Sequence, residues 1–230
     1  MATFSEVVTN VVVKGSISTT ASFFTDSLIE REINNAKRWA ESYHKWPMTE
    51  YMDKSGAFTS GTEEVSYPNS SFKTDSIRML KVGDYLFSKK NFEDYLIFRE
   101  EQASNTDRIF SDYGRVLYIN PNCASGTIYA YGQLSQSDYA SSSSTSAFSA
   151  GEPEGDESIV EKAISNLKAK SNKLQESVEW EVRAKTRLEE IWNRIQNEQF
   201  AYQTKDRGAW KRVDVVDGQF YEDKDNPLQW

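Results

Sequence analysis

The stretch TDSLIEREINNAKRWAESYHKWP, residues 25–47, carries the strongest structural signal in the chain. Ile29, Ile33, Ala36, Ala40 and Tyr43 recur at intervals of three and four. That spacing places apolar side chains on one face of an α-helix. Trp39 and Trp46 widen the face. Thr25, Asp26 and Ser27 offer N-cap oxygens, and Ser27 with Glu30 fits a capping box. Pro47 ends the helix, because its ring cannot follow a helical turn.

Toward the N-terminus, Phe4, Val7, Val8, Val11 and Val12 form a second helical stripe, which Gly15 stops. These apolar residues are spaced rather than continuous and no basic region precedes them. The segment reads as neither signal peptide nor membrane span, and the expectation is a soluble chain, intracellular when made.

Beyond Pro47 the period changes. Residues 63–68, Ile77–Val82 and Tyr85–Ser88 read as short strands. Ile109–Phe110, the turn-like Asp112-Tyr113-Gly114 and Val116–Ile119 read as a hairpin closed by Pro121, and Thr127–Leu134 as a further strand. Between them Asn91–Glu101 predicts a short helix. Residues 135–156 are rich in Ser, Ala and Gly, a composition expected to be mobile. Residues 157–200 are helical, with one stripe at Ile159, Val160, Ala163, Ile164 and Leu167 and another at Ala184, Leu188, Ile191, Trp192 and Ile195. The apolar gap at 169–173 suggests two helices with a short turn, one long helix being the alternative, and Asp206-Arg207-Gly208 breaks the pattern.

The expected fold is therefore α+β: a mainly α-helical bundle with an inserted small antiparallel β element and an extended C-terminal arm. Its parts are an N-terminal helical hairpin (1–52), a β insertion (53–134), a Ser/Gly-rich flexible linker (135–156), a helical pair completing the bundle (157–204) and the arm (205–230).

Composition narrows the function. The 230 residues carry 27 Lys+Arg against 35 Asp+Glu, a net charge of -8, which argues against a free-standing nucleic-acid reader. A single Cys (Cys123) and a single His (His44) remove a disulfide framework and an ordinary zinc site. No phosphate-binding glycine loop, dinucleotide fingerprint or zinc-protease motif occurs. His44 reads as a helix-end residue and Cys123 as a structural thiol. The pairs Glu63/Glu64, Glu100/Glu101 and Glu189/Glu190 are adjacent in sequence, whereas two-carboxylate catalysis needs acids facing across a cleft. Basic residues from Lys168 to Arg187 are interleaved with acids, as on a mixed-charge helix surface. No catalytic residue, cofactor or metal is expected.

The last thirty residues are different. Phe200, Tyr202, Trp210, Phe220, Tyr221 and Trp230 are separated by charges without regular period. Such a segment fits an arm that orders by docking its aromatics on another subunit, the reading preferred to a tail that wraps back onto its own domain. Trp210, Lys211, Arg212, Phe220, Tyr221 and Trp230 are its candidate contacts to a partner or a neighbouring copy.

The order of elements resembles a family. A short helix is followed by Asp26-Ser27-Leu28-Ile29 through Ile33-Asn34-Asn35-Ala36, ending in Trp46-Pro47. Then come a strand from Thr62 to Pro68, Arg78-Met79-Leu80-Lys81-Val82, and Arg115 to Pro121 (RVLYINP), before a helical pair and an arm. Over residues 3–200 this layout is similar to the head-to-tail adaptor (connector) proteins of tailed bacteriophages. The resemblance implies a non-enzymatic virion structural protein at the head-tail junction, assembled in the host cytoplasm. Its partners would be the portal protein, copies of itself in a ring of commonly twelve, and a tail or nozzle protein. Packaged DNA would pass its channel without specific binding, and no membrane would be involved. In that family the C-terminal segment reaches toward the portal. The alternatives are a small virion-associated, cell-wall-degrading hydrolase using carboxylates and, against the charge, a nucleic-acid-binding module.

Overall fold

The computed structural model describes residues 2–18, 23–209, 213–216 and 219–222, with side-chain surroundings given up to residue 198. The chain divides into two compact units, one from residues 1–36 and 148–230 and one from residues 37–147.

The first unit is helical. Helix α1 (Phe4–Lys14) opens with a capping box in which the Thr3 side chain and Glu6 bond each other's backbone N–H, and it closes at Gly15. Val7 and Val11 face inward. Helix α2 (Asp26–Tyr43) is capped by Thr25, whose hydroxyl accepts the Leu28 N–H at 3.3 Å, not by Ser27 as the capping-box pattern implied. Its Ile29, Ile33 and Ala36 are buried.

Helices α4 (Pro153–Lys170) and α5 (Leu174–Ala209) form an antiparallel pair around a tight turn at Asn172, φ 60°. The helix between α2 and α4 in chain order, α3, belongs to the second unit. Ile159, Val160, Ala163, Ile164 and Leu167 of α4 meet Ala184, Leu188 and Ile191 of α5, and α1 packs on α4. The α5 backbone continues through Asp206-Arg207-Gly208, where the sequence predicts a break. Beyond it, β8 (Val213–Val216) and β9 (Gln219–Glu222) pair as an antiparallel hairpin in what was expected to be an extended arm.

Within this unit the Phe148 ring covers Gly155 so closely that a Cβ there would overlap it. Gly155→Ala should therefore cost about 1–3 kcal/mol by overpacking, read as a lowered thermal midpoint. An unchanged midpoint would show that the ring moves aside freely.

The second unit is a sheet of seven strands in the order β1-β7-β3-β4-β5-β6-β2. In chain order these are β1 (Glu50–Phe58), β2 (Glu64–Ser66), β3 (Met79–Val82), β4 (Tyr85–Lys89), β5 (Ile109–Tyr113), β6 (Val116–Ile119) and β7 (Gly126–Gln133). Helix α3 (Phe92–Glu101) starts at Asn91, whose side chain accepts the Asp94 N–H, and links β4 to β5. Those two strands are parallel and every other pair is antiparallel. Parallel neighbours need such a crossover.

The outer strands nearly close the sheet on itself. Ser55 donates to the Pro68 carbonyl at 3.1 Å, and Asn69 donates to Asp53 at 3.3 Å. Inside lie Phe58, Phe72, Leu80, Phe110, Leu117 and Ile128, among others.

The expected small antiparallel insertion within a mainly helical bundle is thus corrected. The protein is 44% helix and 22% strand, with a mixed, barrel-like sheet of seven strands. Strand β1 explains much of the difference. A register shift between Asp53 and Gly56 interrupts its pairing with β7, and only Asp53 and Phe58 of its residues are buried. A bulged strand of that kind gives no clean two-residue alternation.

Candidate functional site

Of the arm residues singled out in the sequence, Phe220 and Tyr221 lie on β9, opposite Val215 and Asp214 of β8. Trp210, Lys211, Arg212 and Trp230 lie outside the described residues.

His44 follows the last residue of α2, its ring edge-on to Tyr43 and to Trp46 at 4.9 and 5.2 Å. Cys123 is buried, its thiol 3.6 Å from the carbonyls of Thr106 and Asp107. Burial pushes the Cys123 pKa up, which favours the unreactive thiol over the thiolate. Glu63 lies 3.4 Å from Arg99, Glu100 and Glu101 end α3 on the surface, and Glu189 and Glu190 lie on α5.

The most concentrated polar chemistry is in the barrel, around Asp112 of β5. Its carboxylate is fully buried and accepts the Ile77 N–H at 2.7 Å and the Tyr67 hydroxyl, with the Lys89 ammonium at 3.6 Å. Burial raises the Asp112 pKa against the pull of these three groups. Burial and the adjoining carboxylate likewise push the Tyr67 phenol well above its ordinary range. The Tyr67 oxygen also accepts the Asp75 N–H at 2.9 Å, and Lys89 donates to the Ile77 carbonyl at 2.6 Å. Arg115 lies over the Tyr67 ring and donates to the carbonyls of Ser70 and Phe72. Those bonds hold Arg115 at φ 68° in the two-residue β5–β6 turn with Gly114, a left-handed conformation that a side chain seldom adopts. The network ties the long 67–78 connection to β5. Every strong donor and acceptor in it is directed at another protein group, the arrangement of a lock rather than of a reaction centre.

The second candidate is a surface. Leu174, Val178 and Val182, at i, i+4 and i+8, are 66%, 60% and 56% exposed on the first turns of α5. They lie off the stripe of Ala184, Leu188 and Ile191 that packs on α4, so α5 carries two apolar faces, and the first of them is exposed. Around this face, charges are joined between and along helices: Lys168 to Glu176 at 2.8 Å, Lys185 to Glu181 at 2.8 Å and Lys162 to Glu181 at 3.3 Å. Three large aliphatic side chains aligned in solvent are what a protein-binding face presents.

Sequence reading passed over both sites. The aliphatic face was available as a four-residue period beginning at Leu174, offset from the deeper stripe. The Asp112 lock had no signal, because Asp112 looked like a turn residue and its partners are far away in sequence. No protein-family model matches this chain, and no curated protein matches it.

Proposed function

We propose that this protein is a structural subunit of a tailed-bacteriophage head-to-tail connector, acting by fit to neighbouring proteins at the head-tail junction of the virion. The observation that carries the reading is the exposed Leu174–Val178–Val182 face on a rigid helical pair, a surface suited to a protein partner. Support also comes from where the resemblance residues lie. The Asp26–Ala36 motif forms most of α2. Trp46, before Pro47, is fully buried and donates its indole N–H to the Ala40 carbonyl at 2.9 Å. Arg115–Pro121 supplies strand β6 and its turn.

On this reading the chain assembles in the host cytoplasm as a ring of copies, commonly twelve, beneath the portal protein. A tail or nozzle protein lies below it, and DNA passes through without specific binding. The acidic net charge of -8 suits a lumen that does not retain DNA. Among the described residues no helix is long and apolar enough to cross a membrane.

The test mixes purified protein with a portal ring and images the product by electron microscopy. A ring of added density beneath the portal is expected. A chain ending after Tyr202, lacking Trp210, Lys211, Arg212, Phe220, Tyr221 and Trp230, should keep a cooperative thermal unfolding transition and lose at least tenfold in portal affinity. Absence of added density with the full chain would overturn the connector reading, and undiminished binding by the truncated chain would overturn the arm's role.

A further inference from the structure

We propose that the outer face of β5 and β6, together with the first turns of α3, receives an arginine-rich segment of a partner protein. Leu117 and Ile119 of β6 point into the barrel, so Val116 and Tyr118 point out, and Tyr113 of β5 stands opposite Val116. Phe92, the first residue of α3, stacks on Tyr113 with ring centroids 4.4 Å apart and 4° between the planes, and its centroid lies 4.7 Å from that of Tyr118. Leu96 follows Phe92 one helical turn later, so Tyr113, Phe92 and Leu96 make one apolar strip. Tyr113 is 53% exposed and Leu96 43%.

Charge selects the occupant. Glu64 of β2 stands opposite Tyr118, and Glu93 and Glu100, seven residues apart, share one side of α3 next to the strip. All three are exposed, and among the described residues none of them has an ion-pair or hydrogen-bond partner. The neighbouring cations are engaged. Arg99 lies 3.4 Å from Glu63 and donates to the Ala103 carbonyl and to Asn120. Arg115 donates to the Ser70 and Phe72 carbonyls, and Lys89 stands 3.6 Å from Asp112. Unpaired carboxylates beside an apolar strip repel nucleic acid and anionic lipid, and they attract a basic segment that brings apolar contacts with it.

The rings narrow that cation to arginine. Two other tyrosines of this unit carry a guanidinium over the ring, Tyr85 from Arg108 at 3.7 Å and Tyr67 from Arg115 at 5.4 Å. Tyr113 has Phe92 on one face and, among the described residues, no cation on the other. A guanidinium lies flat on an open ring while its planar fork bonds a carboxylate, and an ammonium offers neither contact. The site needs no portal, so it goes beyond the connector reading and does not rest on it.

Fluorescence anisotropy on the full chain at low ionic strength tests it, with a labelled peptide that alternates arginine and leucine. That peptide should bind, its lysine version about threefold more weakly, and its glutamate version not at all. Tyr113→Ala should weaken the arginine peptide about fivefold, whereas Tyr113→Phe keeps the ring and should bind as the wild type does. Glu93→Gln with Glu100→Gln leaves the ring stack in place and should weaken binding as much as Tyr113→Ala. Glu179→Gln with Glu190→Gln, on α5, should leave it unchanged. An equal loss in that α5 variant would mean attraction to an acidic chain at large and would overturn the proposal. Equal binding of the arginine and lysine peptides, or no binding at roughly millimolar concentration, would overturn it too. Sedimentation velocity covers the other occupant: wild-type association abolished by Tyr113→Ala would assign this face to a second copy instead.

Discussion

Replacing Glu41 with alanine should cost the protein about 3–5 kcal/mol, the usual loss when one partner of a buried ion pair is removed. Glu41 is fully buried near the end of α2. One of its oxygens receives the Lys37 ammonium at 2.7 Å and the other the Ala147 N–H at 2.7 Å. Lys37 in turn donates to the Ser137 carbonyl at 2.7 Å and lies over the Tyr139 ring at 5.3 Å. Alanine at 41 leaves a buried ammonium without its counter-charge and a backbone N–H without its acceptor. The combined Lys37→Met and Glu41→Leu replacement should recover part of the loss, since it removes both charges together. Urea unfolding measures all three proteins. A cost below about 1 kcal/mol for Glu41→Ala, the range of exposed pairs, would show that water reaches the pair.

The second large effect is at Asp112. Alanine there strands the Ile77 N–H and the Tyr67 hydroxyl, each costing about 1–3 kcal/mol when unpaired, for an expected loss of about 3 kcal/mol. The pH dependence carries a definite sign. Asp112 in the folded protein has its pKa raised above 3.8, chiefly by burial. Folded protein therefore holds this proton at pH values where unfolded chain has released it. From the unfolded carboxylate value up to the raised one, Asp112 makes stability fall as pH rises. Asp112→Asn removes that titration, so wild type should gain on the variant as pH is lowered through this window. Paired urea titrations at several pH values read the difference. A wild type that instead loses ground to Asp112→Asn on acidification would mean that the three donors outweigh burial.

The helices were legible because their signals are local. The Ile29–Ile33–Ala36 stripe, the Gly15 stop and the Asn172 turn each lie within a few residues of the backbone they direct. The short strands with clear alternation, such as Val116–Ile119, were legible for the same reason. The barrel was not. It is nearly closed by β1 reaching the Pro68–Asn69 segment, and β1 takes its place beside β7 through a pairing such as Glu50 with Gln133, distant in sequence, along a strand whose bulge spoils its period. The parallel β4–β5 contact follows from α3 crossing between them, a relation no single window contains. The Ser-rich 135–156 stretch shows the limit of composition. It holds buried Tyr139, Ser146 and Phe148, and its Ala147 N–H is bonded to the Glu41 carboxylate on α2, a partner that composition does not reveal. The aliphatic face on α5 was readable in principle, and the Asp112 lock was not.

The contact between Glu41 and Ala147 brings the first and last turns of the 37–147 unit together, and Glu50 paired with Gln133 continues that adjacency into the sheet. A module whose two ends meet behaves as a cassette. It can be exchanged, enlarged at its distant hairpins or circularly permuted through the Gly83 turn while the splice sites stay where they are. Lineages carrying this architecture are thereby free to diversify the barrel without redesigning the helices that flank it in sequence.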